Sequence, residues 1–175
     1  MEHDQLANLL GALSVALTDA QVSALKKASD LNPSAASAII TLGANPGLSI
    51  GDVSKVLGIS HSAAVKAIDG LVGKELARRD KGADRRNARV SLTAKGKRLR
   101  IRLTTARRAV LEDCLVGLAP NSQDALAEIL IKLLENLTVG RTQADHICRL
   151  CDESVCRPNC CPVEQKAICV ENTPS

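Results

Sequence analysis

The chain has 175 residues, enough for one ordinary domain and a short additional segment. It contains no Phe, Tyr or Trp, so its core must consist of Leu, Ile, Val and Ala, which favours closely packed helices over a sheet sandwich. The net charge is only +4, but thirteen of the 23 Lys and Arg residues lie between Arg78 and Arg108. Such a concentration is typical of a surface that binds a polyanion, although it can also be a merely solvated basic face. No apolar run approaches the ~20 residues of a membrane span, and the acidic start has no secretory signal.

Two amphipathic helices are predicted at the start of the chain. Apolar residues recur at steps of three and four over about the first 28 residues, beginning with Leu6, Leu9 and Leu10. Asn32 followed by Pro33 is a favourable N-cap with proline at the first helical position. The second helix is expected to end near Ala44, because Asn, Pro and Gly follow it.

A helix-turn-helix is predicted next. Ser49 and Asp52 have the spacing of a capping box and open a short helix. A tight turn at Gly58 follows, and Ser60 can cap a second helix. The expected buried stripe of this second helix is Ala64, Val65, Ile68, Leu71 and Val72. Two short helices joined by a Gly-containing turn are typical of a helix-turn-helix, in which the second is the candidate recognition helix.

A basic hairpin and long helices follow. Residues 76–79 and 88–92 are predicted strands joined by a polar, turn-rich segment, which together form a wing. Thr93 is predicted to cap a long helix that breaks and restarts at Pro120. Leucine seams continue to Leu137 and are longer than a small monomer could cover. They therefore predict helices that pair between two subunits.

One spacing pattern extends across the wing and its flanks: Leu71-Val72, Leu76, Arg78-Arg79, Asp84-Arg85-Arg86, Val90-Ser91-Leu92-Thr93 and Gly96. With this pattern, the region from about Leu6 to Leu137 resembles the MarR family of transcription regulators. The resemblance implies a mostly α fold with a small β-wing, a winged helix-turn-helix. It also implies a homodimer, built from the N- and C-terminal helices, that binds a pseudo-palindromic site in double-stranded DNA.

The resemblance further implies individual DNA-binding residues. In the wing, Asp84 would orient Arg86 in the minor groove, where the concentrated negative potential favours arginine. A carboxylate that fixes the guanidinium beforehand reduces the entropy lost on binding. The remaining expected contacts come from the recognition helix and the wing: Ser60, His61, Ser62, Lys66, Arg78 and Arg85. As alternatives, Asp84 and Arg86 could form an ordinary exposed ion pair, and His61 could be a surface residue without a DNA contact.

Six of the seven cysteines lie near the C-terminus, in the order Cys-x2-Cys-x4-Cys-x3-Cys-Cys-Pro from Cys148 to Pro162, with Cys169 beyond. Without a secretory signal the expected location is the reducing cytoplasm, where such a density indicates metal or redox chemistry rather than structural disulfides. The predicted metal ligands are Cys148, Cys151, Cys156 and Cys161, with Cys160 as the alternative to Cys161.

An iron-sulfur cluster, 2Fe–2S or 4Fe–4S, is the preferred cofactor, because dense spacing and a Pro after the last cysteine are typical of cluster loops. The segment is also similar to the C-terminal cluster loop of SoxR redox sensors, with different spacing. Zinc is the alternative, although it usually takes two well-separated Cys-x2-Cys pairs, and a metal-free thiol switch is a further one. His146 could replace a ligand, but a single histidine before a linker is expected to be exposed. Cys114 is expected to be a small core residue.

These predictions divide the chain into a dimerisation helix (1–30), a winged helix-turn-helix DNA-binding domain (31–92), dimerisation helices (93–140) and a cysteine-rich metal-binding tail (141–175). We expect a cytoplasmic regulator, with repression the favoured direction, in which the cluster controls DNA binding through the spacing of the two lobes. A redox or electron-transfer protein is the less favoured alternative. No acid–base or nucleophile constellation indicates an enzyme, and no membrane partner is expected.

Overall fold

A computed structural model describes residues 3–80, 89–152, 155–156 and 160–173. This part of the chain is mostly helical, with three short strands. In chain order the elements are α1 (His3–Ala28), α2 (Pro33–Ala44), β1 (Leu48–Ser49), α3 (Ile50–Leu57), α4 (His61–Gly73), β2 (Ala77–Asp80), β3 (Arg89–Leu92), α5 (Ala94–Leu115), α6 (Pro120–Leu137), α7 (Arg141–Cys148) and α8 (Pro162–Glu171).

Local side-chain caps start the helices where the sequence predicted them. Ser49 Oγ accepts a hydrogen bond from the Asp52 N–H at 3.1 Å, while Asp52 accepts one from the Ser49 N–H at 3.2 Å. This capping box supplies partners to backbone groups that a helix end leaves unpaired. A simpler N-cap, in which the side chain accepts one backbone N–H, starts α2, α4 and α5 at Asn32, Ser60 and Thr93.

The three strands form one antiparallel sheet in the order β1-β3-β2. Ala77 pairs with Leu92 and Leu48 with Val90. The hairpin of β2 and β3 confirms the two predicted wing strands. Strand β1 was not predicted, because two residues are too few for an alternating pattern and their pairing with β3 depends on the tertiary fold.

The main core lies between α2, α3, α4, α5 and the sheet. Its fully buried side chains are aliphatic, as the composition predicted: Ile39, Ile40, Leu42, Val53, Ile68, Leu71, Val90 and Leu103. The winged-helix fold is therefore confirmed. In contrast, α6 has no buried residue within the described part of the chain, and α1 buries only Leu25.

The C-terminal segment, α7 and α8, packs back onto the rest of the fold. Only residues 138–140 separate α6 from α7, and Thr138 is 1% exposed. Helix α7 contacts α3, and α8 contacts both α6 and α7. A second small core forms around four buried residues: Ala144, Cys161, Val163 and Ala167. Among the described helices, none combines the length and apolar character needed to cross a membrane.

Candidate DNA-binding surface and cysteine site

The first turn of α4 presents polar side chains to solvent. Ser60 Oγ accepts a hydrogen bond from the Ala63 N–H at 3.2 Å and lies 3.1 Å from Ser62 Oγ. His61, Ser62 and Lys66 are exposed. The opposite side of the helix is buried through Ala64, Ala67, Ile68 and Leu71. The structure thus brings the four predicted recognition residues together on one exposed surface, which is how a recognition helix meets a major groove.

The buried stripe of α4 differs slightly from the prediction. Val65 and Val72 are only half-buried, and Ala67 is buried although it was not predicted to be. This shift by one position follows from the 3.6-residue helical repeat, since Ala67, Ala64 and Leu71 lie three or four residues apart.

Strand β2 carries two arginines that pair with acidic side chains. Arg78 Nε lies 2.9 Å from Asp80 Oδ1, and Arg79 Nη2 lies 2.6 Å from Asp69 Oδ1 on α4. A hydrogen bond from Ser91, together with that from Arg78, lowers the pKa of Asp80. The Arg79–Asp69 pair joins the wing to the recognition helix, while the Arg78 side chain is still 67% exposed.

The tip of the wing, with Asp84, Arg85 and Arg86, lies outside the described residues. The base of the wing is held in place by two hydrogen bonds with the backbone of Gly47. The Gly47 N–H donates to the Val90 carbonyl at 3.1 Å, and Arg89 Nη1 donates to the Gly47 carbonyl at 2.9 Å. The predicted pairing of Asp84 with Arg86 therefore stays a prediction.

Four cysteines line one cavity of about 470 Å³ between the C-terminal segment and the winged helix: Cys148, Cys151, Cys156 and Cys161. We call this group the cysteine cluster. The remaining lining residues come from α2, β1, α3 and the C-terminal segment, and include Asn45, Leu48, Val56, Asp145 and Glu164. The cluster consists of the four residues that the sequence spacing favoured.

The thiols of the cysteine cluster perturb one another. A hydrogen bond with Cys151, together with burial, raises the pKa of Cys148 far above its ordinary value, and Cys161 adds to the effect. Burial and the nearby Cys161 raise the pKa of Cys156 to about 11. Closely spaced thiols resist ionising together because like charges repel, and a bound cation removes this penalty.

The cysteine cluster does not have the geometry of a metal site. Within the described ranges, no three His, Cys, Asp or Glu side chains are placed as ligands of a single metal ion. The four thiols therefore line the same cavity without being arranged around one point, and metal binding would require their side chains to reorient.

The other three cysteines are exposed. Cys160 neighbours the cluster and contributes to the raised pKa of Cys156. Cys169 lies on the outer part of α8. Cys114 is exposed near the end of α5, so the expectation that it belongs to the core was wrong for the single chain. No described residue buries this face of α5, whose only buried residues in the described chain are Gly96 and Leu103.

His146 is half-buried and not solvent-exposed as expected. Its Nδ1–H donates to the Val56 carbonyl at 2.8 Å, near the C-terminal end of α3. The ring also lies against Gly58, where a Cβ would stand 2.9 Å from His146 Cε1. No local signal could have revealed this contact, because His146 and Val56 are 90 residues apart.

The two residues between Cys148 and Cys151 are anchored to the main core. Thr41 Oγ1, on α2, donates to the Arg149 carbonyl at 3.2 Å, and Leu150 packs against the core. The Cys-x2-Cys loop is therefore part of the packed fold.

An arginine fork joins α7 to α8. Arg141 Nη1 and Nη2 donate to the two carboxylate oxygens of Glu164 at 2.7 and 2.9 Å. Arg141 also lies 3.4 Å from Asp145 and 3.3 Å from Glu171. The hydrogen bonds from Arg141 lower the pKa of Glu164, which lies three residues after Cys161. Two parallel charge-assisted hydrogen bonds fix orientation as well as distance, so the fork holds Cys161 relative to Cys148.

The winged helix can be compared with known families. Residues 29–87 match the family model of MarR. This match extends from the residues before α2 to the wing, about a third of the chain, so the winged helix is similar to that of MarR-family proteins.

Solved structures, two of them described as MarR-family proteins, are similar to this chain over most of their own length. A transcriptional regulator from Silicibacter pomeroyi has a TM-score of 0.62 and 28% identity, covering 81% of this chain and 99% of that one. A protein from Bacillus stearothermophilus has a TM-score of 0.68 and 20% identity, covering 79% and 99%. BpsR from Bordetella bronchiseptica, whose DNA binding is regulated by 6-hydroxynicotinic acid, has a TM-score of 0.55 and 22% identity, covering 71% and 98%. No match was found among curated proteins.

Between 19% and 29% of this chain has no counterpart in these three structures, which cover 81%, 79% and 71% of it. The similarity of the cysteine segment to SoxR sensors gains no support from the comparisons, and it stays a prediction.

Proposed function

We propose that this chain is a homodimeric transcription regulator that binds a pseudo-palindromic site in double-stranded DNA, with repression as its favoured action. The observation that carries this proposal is the exposed first turn of α4, where Ser60, His61, Ser62 and Lys66 lie side by side on a MarR-type winged helix. Polar and basic side chains at the start of a recognition helix suit both base edges and phosphates.

Electrostatics supports DNA as the partner. The segment from Arg78 to Arg108, which contains thirteen basic residues, begins on the wing and continues along α5. Asp69 partly neutralises the charge of Arg79. The same ion pair connects α4 to β2 and so favours one relative position of these two elements. A fixed arrangement of this kind reduces the entropy lost when both elements bind DNA.

The exposed apolar surfaces support a dimer. Helices α1 and α6 expose large aliphatic side chains: Leu6, Leu9, Leu10, Leu13, Ile129, Leu130, Ile131 and Leu137. Several large apolar side chains exposed on the same helices favour an interaction site, and a twofold dimer would match a pseudo-palindrome.

Selection of bound duplexes from a random DNA library tests the proposal, followed by fluorescence anisotropy with the selected duplex. We expect a pseudo-palindromic sequence. Arg86→Ala and Lys66→Ala should each weaken binding by about 1–3 kcal/mol at fixed salt. Lys132→Ala, which removes the same charge from the exposed surface of α6, is the matched control and should bind as the unsubstituted protein does. Selection of no sequence, with equal affinities for all four proteins, would contradict the proposal.

We further propose that an iron-sulfur cluster bound by Cys148, Cys151, Cys156 and Cys161 controls this DNA binding. Four cysteine thiols facing one cavity favour soft metal centres, and their dense spacing is typical of cluster loops. The Arg141–Glu164 fork supports the proposal. It joins α7, which ends at Cys148, to α8, which begins just after Cys161, and so keeps these two cysteines close together.

The absorption spectrum and metal content of protein purified without oxygen test this second proposal. We expect visible absorption bands that disappear on Cys→Ser substitution of any cluster member. The ultraviolet background is small because the chain has no Trp or Tyr. Cys169→Ser and Cys114→Ser are the controls and should retain the bands. A colourless protein with one zinc per subunit would contradict the iron-sulfur proposal and indicate a zinc site. A metal-free protein whose DNA affinity changes on mild oxidation would indicate a thiol switch.

A further inference from the structure

The thiols of the cysteine cluster contact one another in a definite order. Cys148 shares a hydrogen bond with Cys151 and another with Cys161. Cys156 in turn shares a hydrogen bond with Cys161. Along these contacts the sulfurs follow the order Cys151, Cys148, Cys161, Cys156. Each outer thiol therefore has an inner thiol beside it, which is the first requirement for a disulfide bond.

The backbone brings Cys148 and Cys151 within the range of a disulfide. The Cys151 N–H donates to the Cys148 carbonyl at 2.8 Å, which closes a turn directly after α7. The end residues of such a turn have Cα atoms within about 7 Å, and a disulfide joins Cα atoms about 4.4–6.8 Å apart. Thr41 donates to the Arg149 carbonyl at 3.2 Å, and Leu150 packs against the core. The turn that brings the two cysteines together is thus fixed to the rest of the fold.

Two arguments assign Cys148 to Cys151 instead of Cys161. A bond to Cys151 stays within one backbone turn, whereas a bond to Cys161 would tie the end of α7 to the start of α8. Cys151 also raises the pKa of Cys148 more strongly than Cys161 does, which agrees with a closer contact between Cys148 and Cys151. This assignment leaves Cys161 to its other neighbour, Cys156.

The second pair combines a buried sulfur with an exposed one. Cys161 is the N-cap of α8 and is 8% exposed, whereas Cys156 is exposed. The Cys156 N–H donates to the Asp152 carbonyl at 3.2 Å, which ties its backbone to the residue after Cys151. A reagent in solution reaches the outer sulfur, and the inner sulfur then lies beside the adduct. This is the arrangement of an attacking and a resolving cysteine.

We infer that the metal-free cysteine cluster is a redox site that forms two disulfides, Cys148–Cys151 and Cys156–Cys161, with a small-molecule disulfide such as oxidised glutathione as its oxidant. In each pair one thiolate attacks a sulfur of the small disulfide and displaces one small thiol. The second cysteine then attacks the mixed disulfide and displaces the other small thiol. Each pair loses two electrons and two protons, which convert one small disulfide into two thiols. The inference goes beyond the proposed iron-sulfur cluster and does not depend on it, because the chain reacts without metal.

Disulfide mapping tests the first pair. The full chain is reduced, treated with a chelator, exposed to oxidised glutathione, denatured and blocked with iodoacetamide. Trypsin cleaves after Arg149, between Cys148 and Cys151, and a protease that cleaves before Asp152 separates Cys151 from the later cysteines. We expect the peptide with Cys148 to be joined to the peptide that ends at Cys151. A link from Cys148 to the peptide that contains Cys161 would overturn the inference, as would a protein alkylated at all seven cysteines.

Two variants test the second pair in the peptide that follows the second cleavage site. Cys160→Ser should retain a disulfide within this peptide, because Cys156 and Cys161 are still present. Cys161→Ser should lose this disulfide but retain the first pair. Cys169→Ser, which alters an exposed cysteine on α8, is the matched control and should retain both. A disulfide lost in Cys160→Ser, or retained in Cys161→Ser, would assign the bond to Cys160 and overturn the inference.

Thermal unfolding tests whether both bonds fit the folded chain. Cross-links that match the native geometry constrain the unfolded chain, so oxidation should raise the Tm and dithiothreitol should reverse the rise. A lower Tm of the oxidised protein would overturn the inference, because the bonds would then strain the fold. The result is independent of iron: absence of metal from protein purified without oxygen would refute the proposed cluster and leave the disulfide mapping unaffected.

Discussion

Glu164 accepts hydrogen bonds from both terminal nitrogens of Arg141, at 2.7 and 2.9 Å, and these two residues join α8 to α7. Both side chains are about one-third exposed, so solvent screens the pair only in part. Glu164→Gln should lower the free energy of unfolding by roughly 1 kcal/mol, because it removes the charge that strengthens the two bonds. Urea denaturation measures this change. Glu128→Gln, on the exposed surface of α6, should have no effect, and equal stabilities of all three proteins would contradict the prediction.

The stabilising effect of Glu164 should depend on pH. Arg141 lowers the pKa of Glu164 in the folded chain below its ordinary value of 4.5. Such a group stabilises the folded state fully above its ordinary pKa, and this contribution is lost as the pH falls through the lowered folded-state pKa. The difference in unfolding free energy between the unsubstituted protein and Glu164→Gln should therefore be constant near neutrality and shrink below about pH 4.5. Asp52 and Asp80 also have lowered pKa values, but they are present in both proteins and cancel. A difference that grows on acidification would contradict the prediction.

Gly70→Ala should stabilise the protein. Gly70 lies inside α4, and an added Cβ would meet nothing within 4 Å. Alanine in a helix interior is favoured over glycine by about 0.5–1 kcal/mol, mainly because the unfolded chain has less freedom to lose. Thermal unfolding should show a higher Tm. A lower Tm would indicate that the backbone of α4 needs the freedom of glycine at this position.

Gly96→Ala should have the opposite effect. The Cβ position at Gly96 lies only 2.0 Å from the Leu76 carbonyl oxygen, a backbone atom that cannot rotate away. The start of α5 and the backbone just before β2 would have to separate, at a cost of about 1–3 kcal/mol. The same thermal measurement checks this, with Gly70→Ala as the counterpart. Retention of the original Tm would mean that the two elements are less closely packed than the structure describes.

The exposed leucines of the outer helices predict a dimer at micromolar concentration. Leu13 is 50% exposed on α1, and Leu130 is 46% exposed on α6. Leu13→Ser combined with Leu130→Ser should yield a monomer in sedimentation equilibrium while leaving the helical content unchanged, because neither side chain belongs to the core of one subunit. Leu42→Ser, which alters a fully buried side chain, should instead unfold the protein. A monomeric unsubstituted protein would contradict both the dimer and the expected palindrome.

Sequence alone predicted the features that depend on neighbours along the chain. The capping box of Ser49 and Asp52 and the wing strands are set by residues within a few positions of one another, so their patterns are visible without a structure. The convergence of the cysteines also followed from spacing, because a short loop keeps its ends close.

Contacts between distant segments could not be predicted in this way. His146 and Val56 are 90 positions apart, and neither residue type predicts that the two are in contact. Cys114 was expected in the core because its seam position is apolar, but the surface that would cover that seam does not belong to the described part of one chain. Helices α7 and α8 gave no clear pattern, since their few buried residues are set by packing against α3 and α6.

Leu150 lies between two cysteines of the cluster and packs into the core of the winged helix. The C-terminal segment is therefore not a removable module, and deletion of residues after Gly140 would leave an apolar gap beside α2. Heat or denaturant should unfold the segment and the winged helix in one cooperative transition. Any ligand of the cysteines that binds only the folded chain then raises the melting temperature of the entire domain, since binding energy is shared by every part of a cooperative unit.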